Sequence, residues 1–252
     1  MRHQQIPNLP PSTTTNSAIE SLKRRFDREQ MVQGLHLSVE QRADELRAFL
    51  VGVREWNDQR ENPKGLMNRM LSKKLTARVD EKDAPDFDRL LGCLKKAGVS
   101  FLVVGSVSRV LQGAVAGVTG LGGGLPDLDV VYSRNPDQME ALAAALNELG
   151  AGYRQFGEVI EQIWDHDSLG SAHNLHLSTS SGVLHLFGSL VGAGPFESLI
   201  GFSIEMSAFG LTFPVLTLEA MTQLHLAAGR AKDFSSAAEL QLVLEESNRL
   251  HS

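Results

Sequence analysis

The sequence predicts an α/β protein of the α+β kind: a small mixed sheet flanked by helices, with a helical N-terminal extension. Three observations lead there. Helix and strand periodicities alternate from Pro85 onward, two amphipathic helices precede them, and 42% hydrophobic residues in a chain of 252 can supply a real core. The expected organisation is a disordered lead over 1–16, a helical region and linker over 17–84, and the α/β domain with its C-terminal helices over 85–252.

The lead, MRHQQIPNLPPSTTTN, is rich in Pro, Thr and Asn and has no apolar period. Ser17 with Glu20 then makes a capping-box pattern, and Ile19, Leu22 and Phe26 follow at helical spacing. Ser38 with Gln41 repeats the signal ahead of Val39, Leu46, Leu50, Val53 and Trp56, with Gly34 separating the two helices. From Asn57 to Asp83 the chain is polar, with Lys64, Arg69, Lys73, Lys74 and Arg78 along it. Acidic residues interleave there, so a solvated helix and linker is expected rather than a phosphate-binding face.

In the α/β part, Phe87, Leu90, Leu91 and Leu94 mark a helix closed by Lys95, Lys96 and Gly98. SFLVVGS reads as a buried strand, SVSRVLQG as a helix from Ser106, LDVVY as a second strand and PDQMEALAAALNELG as a further helix. NLHLS with GVLHLF, and FSIEMSA with LTFPV around Phe209 and Gly210, look like paired strands. Helices over Leu218–Ala228 and Phe234–Ser247 complete the layout.

Composition narrows the function classes. With a net charge of −6, a pI near 5.8 and no basic tail, strong nonspecific nucleic-acid binding is not expected. No apolar run is long enough for a span and no signal peptide is visible, so no membrane partner is expected. Cys93 is the lone cysteine, which excludes a disulfide framework and a cysteine zinc site and fits a reducing cytoplasm. Standing among Leu90, Leu91 and Leu94, it reads as a small core residue.

The stretch LPDLDVVYS carries the sharpest chemical signal. In a strand Asp127 and Asp129 share one face, while Leu128, Val130 and Tyr132 take the other. Neighbouring carboxylates repel, so a positive group should stand over them. In FLVVGS, Gly105 and Ser106 fall where a strand stops and a helix begins. Free backbone N–H groups there favour an anion, glycine lets a phosphate approach, and the serine hydroxyl adds a donor. A polyphosphate at that helix start beside Mg²⁺ on the two carboxylates is a device for positioning a nucleotide. The glycine-rich run GAVAGVTGLGGGLP lacks a GK[ST] ending and precedes a strand, so it reads as a mobile loop. His173, His176 and His185, with Asp165, His166 and Asp167, lack the i, i+4 spacing of a helical metal site. Hydrogen-bonded structural histidines are expected there.

The run AGVSFLVVGSVSRVLQG followed by PDLDVVYSRNPDQMEALAAALNELGA resembles the DNA polymerase β superfamily of nucleotidyltransferases. The signature of that superfamily is a hydrophobic-Gly-Gly/Ser strand end and then an acidic-x-acidic strand. The order of GVLHLFGSLVGAGPFESLI, LTFPVLTLEAMTQLHLAAGRAKD and a closing helix is similar to that of the minimal nucleotidyltransferases and abortive-infection toxin-type enzymes. The resemblance spans about residues 86–246. It implies transfer of a nucleoside monophosphate from an NTP to a hydroxyl of RNA, protein or a small molecule, with pyrophosphate leaving and two Mg²⁺ (or Mn²⁺) ions assisting. It implies that Asp127 and Asp129 form the catalytic metal-binding pair, that Gly105 and Ser106 hold the triphosphate, and that Arg230, Lys232 and Asp233 lie near the nucleotide. An antitoxin-like protein partner belongs to the same expectation.

Three departures bear on catalysis. The third carboxylate of these enzymes sits mid-strand, and the matching LHL carries His185, which must act as a base, ligate a metal or leave the enzyme weakened. His225 stands where many relatives have lysine, and the glycine-rich loop is longer than the usual spacer and lacks its customary Arg or Thr before the DxD. The expected function is an Mg²⁺-dependent nucleotidyltransferase. The alternative is a catalytically inactive nucleotide-binding or protein-interaction module.

Overall fold

The computed structural model describes residues 13–23, 33–58, 85–114, 127–155, 158–170 and 173–251. The basic linker and most of the glycine-rich run lie outside the described residues. Helix α1 covers Thr13–Lys23, so it opens before Ser17 and takes in the last residues of the expected lead. Helix α2, Val39–Asp58, begins as expected: Ser38 N–H donates to Gln41 Oε1 at 2.8 Å and Gln41 N–H to Ser38 Oγ at 3.2 Å.

Helix α3, Phe87–Lys96, starts at Asp86, whose carboxylate accepts from the Arg89 N–H at 3.0 Å, and is closed by Gly98 at φ +78°. Strand β1, Phe101–Val104, runs straight into the short helix α4, Gly105–Leu111. Strand β2 is Leu128–Tyr132 and helix α5 is Pro136–Glu148 with proline in its first turn. Two strands not expected from the sequence follow, β3 (Gly152–Gln155) and β4 (Glu158–Glu161), then the one-turn helix α6, His166–Gly170. Strands β5 (Asn174–Thr179) and β6 (Gly182–Phe187) pair in antiparallel register, Leu175 opposite Leu186 and His176 opposite His185. A small ribbon, β7 (Ser189–Leu190) with β8 (Gly194–Pro195), leads into α7, Phe196–Leu199. The expected hairpin is β9 (Ser203–Ala208) with β10 (Leu211–Leu216), turning at Phe209 and Gly210 with φ +57° and +70°, the positive pair that a two-residue turn requires. Helices α8, Leu218–Ala228, and α9, Ala231–Leu250, close the described chain.

The described strands form an eight-stranded mixed sheet in the order β4-β3-β5-β6-β2-β1-β10-β9, with β2/β6 and β1/β10 parallel. Alternation along β2 sorts its residues between the two faces. Leu128, Val130 and Tyr132 join the core under α3 and α5, with Phe101, Val103, Leu184, Leu186 and Cys93. Val131 joins the core under α8 and α9 with Leu102, Leu216, Met221 and Leu240. Burying each of the larger side chains stabilises by about 1.5–3 kcal/mol. On that second face Asp129 and His185 stand in the middle of the sheet, where burial makes every polar group depend on its partners.

Helix α9 also carries a buried charge. Glu239 faces Arg109 of α4 with Oε2 3.8 Å from Nη1, and its Oε1 meets no hydrogen-bond donor among the described residues. Burial pushes the Glu239 carboxyl up to about 7, against the pull of Arg109. A folded-state pKa raised above the unfolded value means that the folded chain holds the extra proton, so stability should fall as pH rises from about 4.5 to 7. A loss on the order of 2–3 kcal/mol across that window is expected in urea melts, with Glu239→Gln flattening this part of the slope. An unchanged slope in the variant would place the titration elsewhere.

Candidate functional site

The DxD pair sits where β2 begins and the antiparallel β1 ends. Asp127 immediately precedes β2 rather than lying within it, and Asp129 is its second residue. Parallel pairing of β2 with β6 sets Asp129 opposite His185, and antiparallel pairing with β1 sets it opposite Val104. The three side chains meet: His185 Nδ1 is 2.9 Å from Asp129 Oδ1, and Nε2 is 3.9 Å from Asp127 Oδ2. His176, opposite on β5, meets the His185 ring edge-on at 4.5 Å between centroids, and Phe187 flanks it at 6.3 Å.

Electrostatics follow from that contact. Burial works against a charged His185 ring, but the hydrogen bond and charge of Asp129, with Asp127 beyond, outweigh it and lift its pKa above the ordinary value. The chain itself therefore supplies a hydrogen-bond partner for the carboxylates. A neutral ring that donates Nδ1–H to Asp129 keeps Nε2, on the Asp127 side, as its proton acceptor. Burial, and then the neighbouring His185 charge, push His176 down.

Gly105 makes the other wall. Its φ is +67°, in the left-handed region that favours glycine, and a Cβ placed on it would stand 2.1 Å from Asp129 Oδ2. The Asp129 carboxylate thus lies directly against the backbone at the start of α4. Ser106 Oγ is 3.5 Å from the Asp127 carbonyl oxygen, which ties the start of α4 to the entry of β2. Helix α4 is locked from behind, with Ser108 Oγ donating to the Leu216 carbonyl at 2.9 Å. Gln112 donates to the same carbonyl at 2.8 Å and accepts from the Leu218 N–H at 3.1 Å.

A cavity of about 450 Å³ opens on this face. Gly105, Asp129, Arg230 and Lys232 line it together with His225 and Asp233, whereas Asp127 and Ser106 stand outside its lining. Its apolar wall is Phe187, Leu190, Val191, Met221 and Leu224, and Asn174 and Ser189 add polar atoms. Sequence reading passed over these wall residues because an apolar side chain on a strand or helix carries the same signal whether it faces a core or a cavity.

The GRAKD segment is shaped by capping. Gly229, at φ +68°, ends α8, and Arg230 begins α9 with its Nε donating to Asp233 Oδ2 at 2.6 Å and Nη2 to Oδ1 at 3.1 Å. Burial opposes the Asp233 charge, but the Arg230 side chain and backbone N–H hold its carboxyl below the usual range. Burial and then Arg109 push His225 down, although Asp233 Oδ1 lies 3.4 Å from its Nδ1. Lys232 is exposed at the cavity and makes no ion pair among the described residues. The Arg230 guanidinium is therefore partly committed to Asp233, and the Lys232 ammonium is the more available cation.

Of the WDHD residues Trp164 is buried, while Asp165, His166 and Asp167 are exposed. Asp165 Oδ1 accepts from the Ser168 N–H at 2.8 Å and caps α6. Among the described residues no group of three or more His, Cys, Asp or Glu converges on a point that a metal could occupy. In the Asp127, Asp129 and His185 trio the two ring nitrogens face different carboxylates, so the three donors do not converge. The carboxylates alone remain hard oxygen donors suited to Mg²⁺, which is held through one or two carboxylates with phosphate oxygens and water completing its shell. His185 does not fit such an ion. No described helix is long and apolar enough to cross a membrane. Compared with models of protein families, with curated proteins and with solved structures, the chain matches none.

Proposed function

We propose that the chain is a nucleotidyltransferase of the DNA polymerase β type, binding an NTP in the cavity and passing its nucleoside monophosphate to an acceptor hydroxyl, with catalysis weakened by His185. The observation that carries the reading is the close approach of Gly105 to Asp129, which brings a helix start and a metal-suited carboxylate to the rim of one cavity. Asp127 and Asp129 would hold Mg²⁺ or Mn²⁺, and when bound the ion would neutralise phosphate charge and polarise the reacting phosphoryl group. Lys232 and Arg230 stand at the same cavity as cations for the phosphates. The wall of Phe187, Leu190, Met221 and Leu224 offers apolar surface to base and sugar.

One observation favours a second reading, a nucleotide-binding module without turnover. The bond from His185 to Asp129 already partners a carboxylate that catalysis would need for metal.

Binding is tested by heat. Mg²⁺ with ATP or GTP at about a hundredfold over its Kd should stabilise the protein by about 2.7 kcal/mol, a rise of several degrees in Tm. Asp127→Asn with Asp129→Asn should abolish the rise. A double variant that keeps the full shift would place the metal elsewhere.

A further inference from the structure

We propose that the cavity reads the base of its nucleotide and prefers a purine with a carbonyl at its edge, guanine rather than adenine, through the side-chain amide of Asn174 beside Phe187. The proposal rests on the nucleotide-binding reading above and adds the identity of the base to it. It is independent of how any metal is held.

Register makes the two residues a unit. Asn174 stands directly opposite Phe187 in the β5/β6 pair, and both line the cavity. Side chains opposite each other in an antiparallel pair share one face of the sheet, about 5 Å apart at Cβ. His185, two residues before Phe187, is on that face, and so is Asp129, its neighbour on β2. Asn174 is thus two strands across and two residues along from Asp129, roughly 12 Å away by strand spacing. That suits a nucleotide whose phosphates lie at Asp129 and Gly105 and whose base reaches toward Asn174. Phe187 offers the base an aromatic surface, and Met221 and Leu224 of α8 line the same cavity.

The amide has one favoured orientation. The Gly188 N–H, which donates to the His173 carbonyl at 2.6 Å, also donates to Asn174 Oδ1 at 3.3 Å. A backbone N–H can meet only the oxygen end of an amide, so the oxygen turns to Gly188 and the NH₂ end is left for a ligand. Nδ2 donates to nothing among the described residues. The two-point contact of an asparagine with adenine needs Oδ1 as well as Nδ2, and here Oδ1 is turned to the backbone. A donor alone matches guanine, whose O6 accepts, and stands donor against donor at the adenine N6 amine. The Ser189 hydroxyl, also at the cavity, can rotate to donate or accept and does not discriminate. Asn174 is exposed, so water competes and the preference is modest.

The full chain in Mg²⁺ buffer is titrated calorimetrically with GTP, ITP and ATP. ITP keeps O6 and lacks the 2-amino group, which isolates the carbonyl. GTP and ITP should each bind about three- to tenfold tighter than ATP. Asn174→Leu leaves Gly188 its bond to the His173 carbonyl and should bring the three to one affinity. Asn174→Asp, which presents only oxygen, should reverse the order. ATP binding as tightly as GTP to the natural protein would overturn the proposal and leave nucleotide binding intact. So would a preference for GTP that ITP does not share, or one that survives Asn174→Leu. If none of the three binds the natural protein, the nucleotide reading falls and this proposal with it.

Discussion

Replacing His185 by aspartate should raise transfer of α-labelled nucleoside monophosphate, to an acceptor or to the protein itself, on the order of tenfold or more over the natural protein. Two opposing effects decide the sign. The substitution removes the hydrogen bond to Asp129 and the edge-on contact with His176, both of which hold this part of the sheet together. It supplies a hard oxygen donor and a proton acceptor opposite Asp129 on β6. Without metal, three carboxylates would face one another, so the variant should melt below the natural protein in chelator and recover when Mg²⁺ or Mn²⁺ is added. The measurement is label transfer with either ion, read beside melting curves. Strong activity in the natural protein that His185→Asp destroys would refute the weakened-enzyme reading, and silence in both would favour the binding module.

Gly105→Ala should abolish the nucleotide-dependent rise in Tm and cost on the order of 1–3 kcal/mol of stability. A Cβ there would stand 2.1 Å from Asp129 Oδ2 and 2.9 Å from its Cγ, closer than side-chain carbons approach. The φ of +67° adds the strain of a left-handed alanine. Asp129 is also held by His185, so the carboxylate can retreat only by giving up that bond. Either response moves the carboxylate from the cavity rim. Urea melts would report the stability loss and thermal shifts the binding loss. A variant that keeps both would remove Gly105 from the site. Ala at Gly92, where an added Cβ meets nothing within 4 Å, is the control for a glycine without this role.

Much of the site could be read in the sequence because its chemistry is local. The i, i+2 aspartates, the Gly-Ser strand end and His185 stand out at a strand's spacing, and the structure brings Gly105, Asp127, Asp129 and His185 together; the Phe209–Gly210 turn and the Ser38 cap were equally plain. What could not be read depends on distant neighbours. Strands β3 and β4 are four residues each, too short for alternation to declare them. The tie of Arg230 to Asp233 looks in sequence like two free charges, and only the cap geometry shows them joined. That His185 would bridge toward both aspartates required the parallel register of β2 and β6, which no local pattern carries.

Strand β1 takes its parallel neighbour β10 from more than a hundred residues further along the chain, Val103 beside Val215. During synthesis β1 therefore emerges with β2 soon to cover one edge, while the other edge has no partner until the 211–216 hairpin strand arrives. Pairings of such long range are slow to form, and a nascent chain halted before them exposes an unsatisfied strand edge. The cavity draws one wall from the end of β1 and another from α8, which follows β10. The cavity is thus completed last, and a chain interrupted before Leu216 would carry both aspartates and His185 without it.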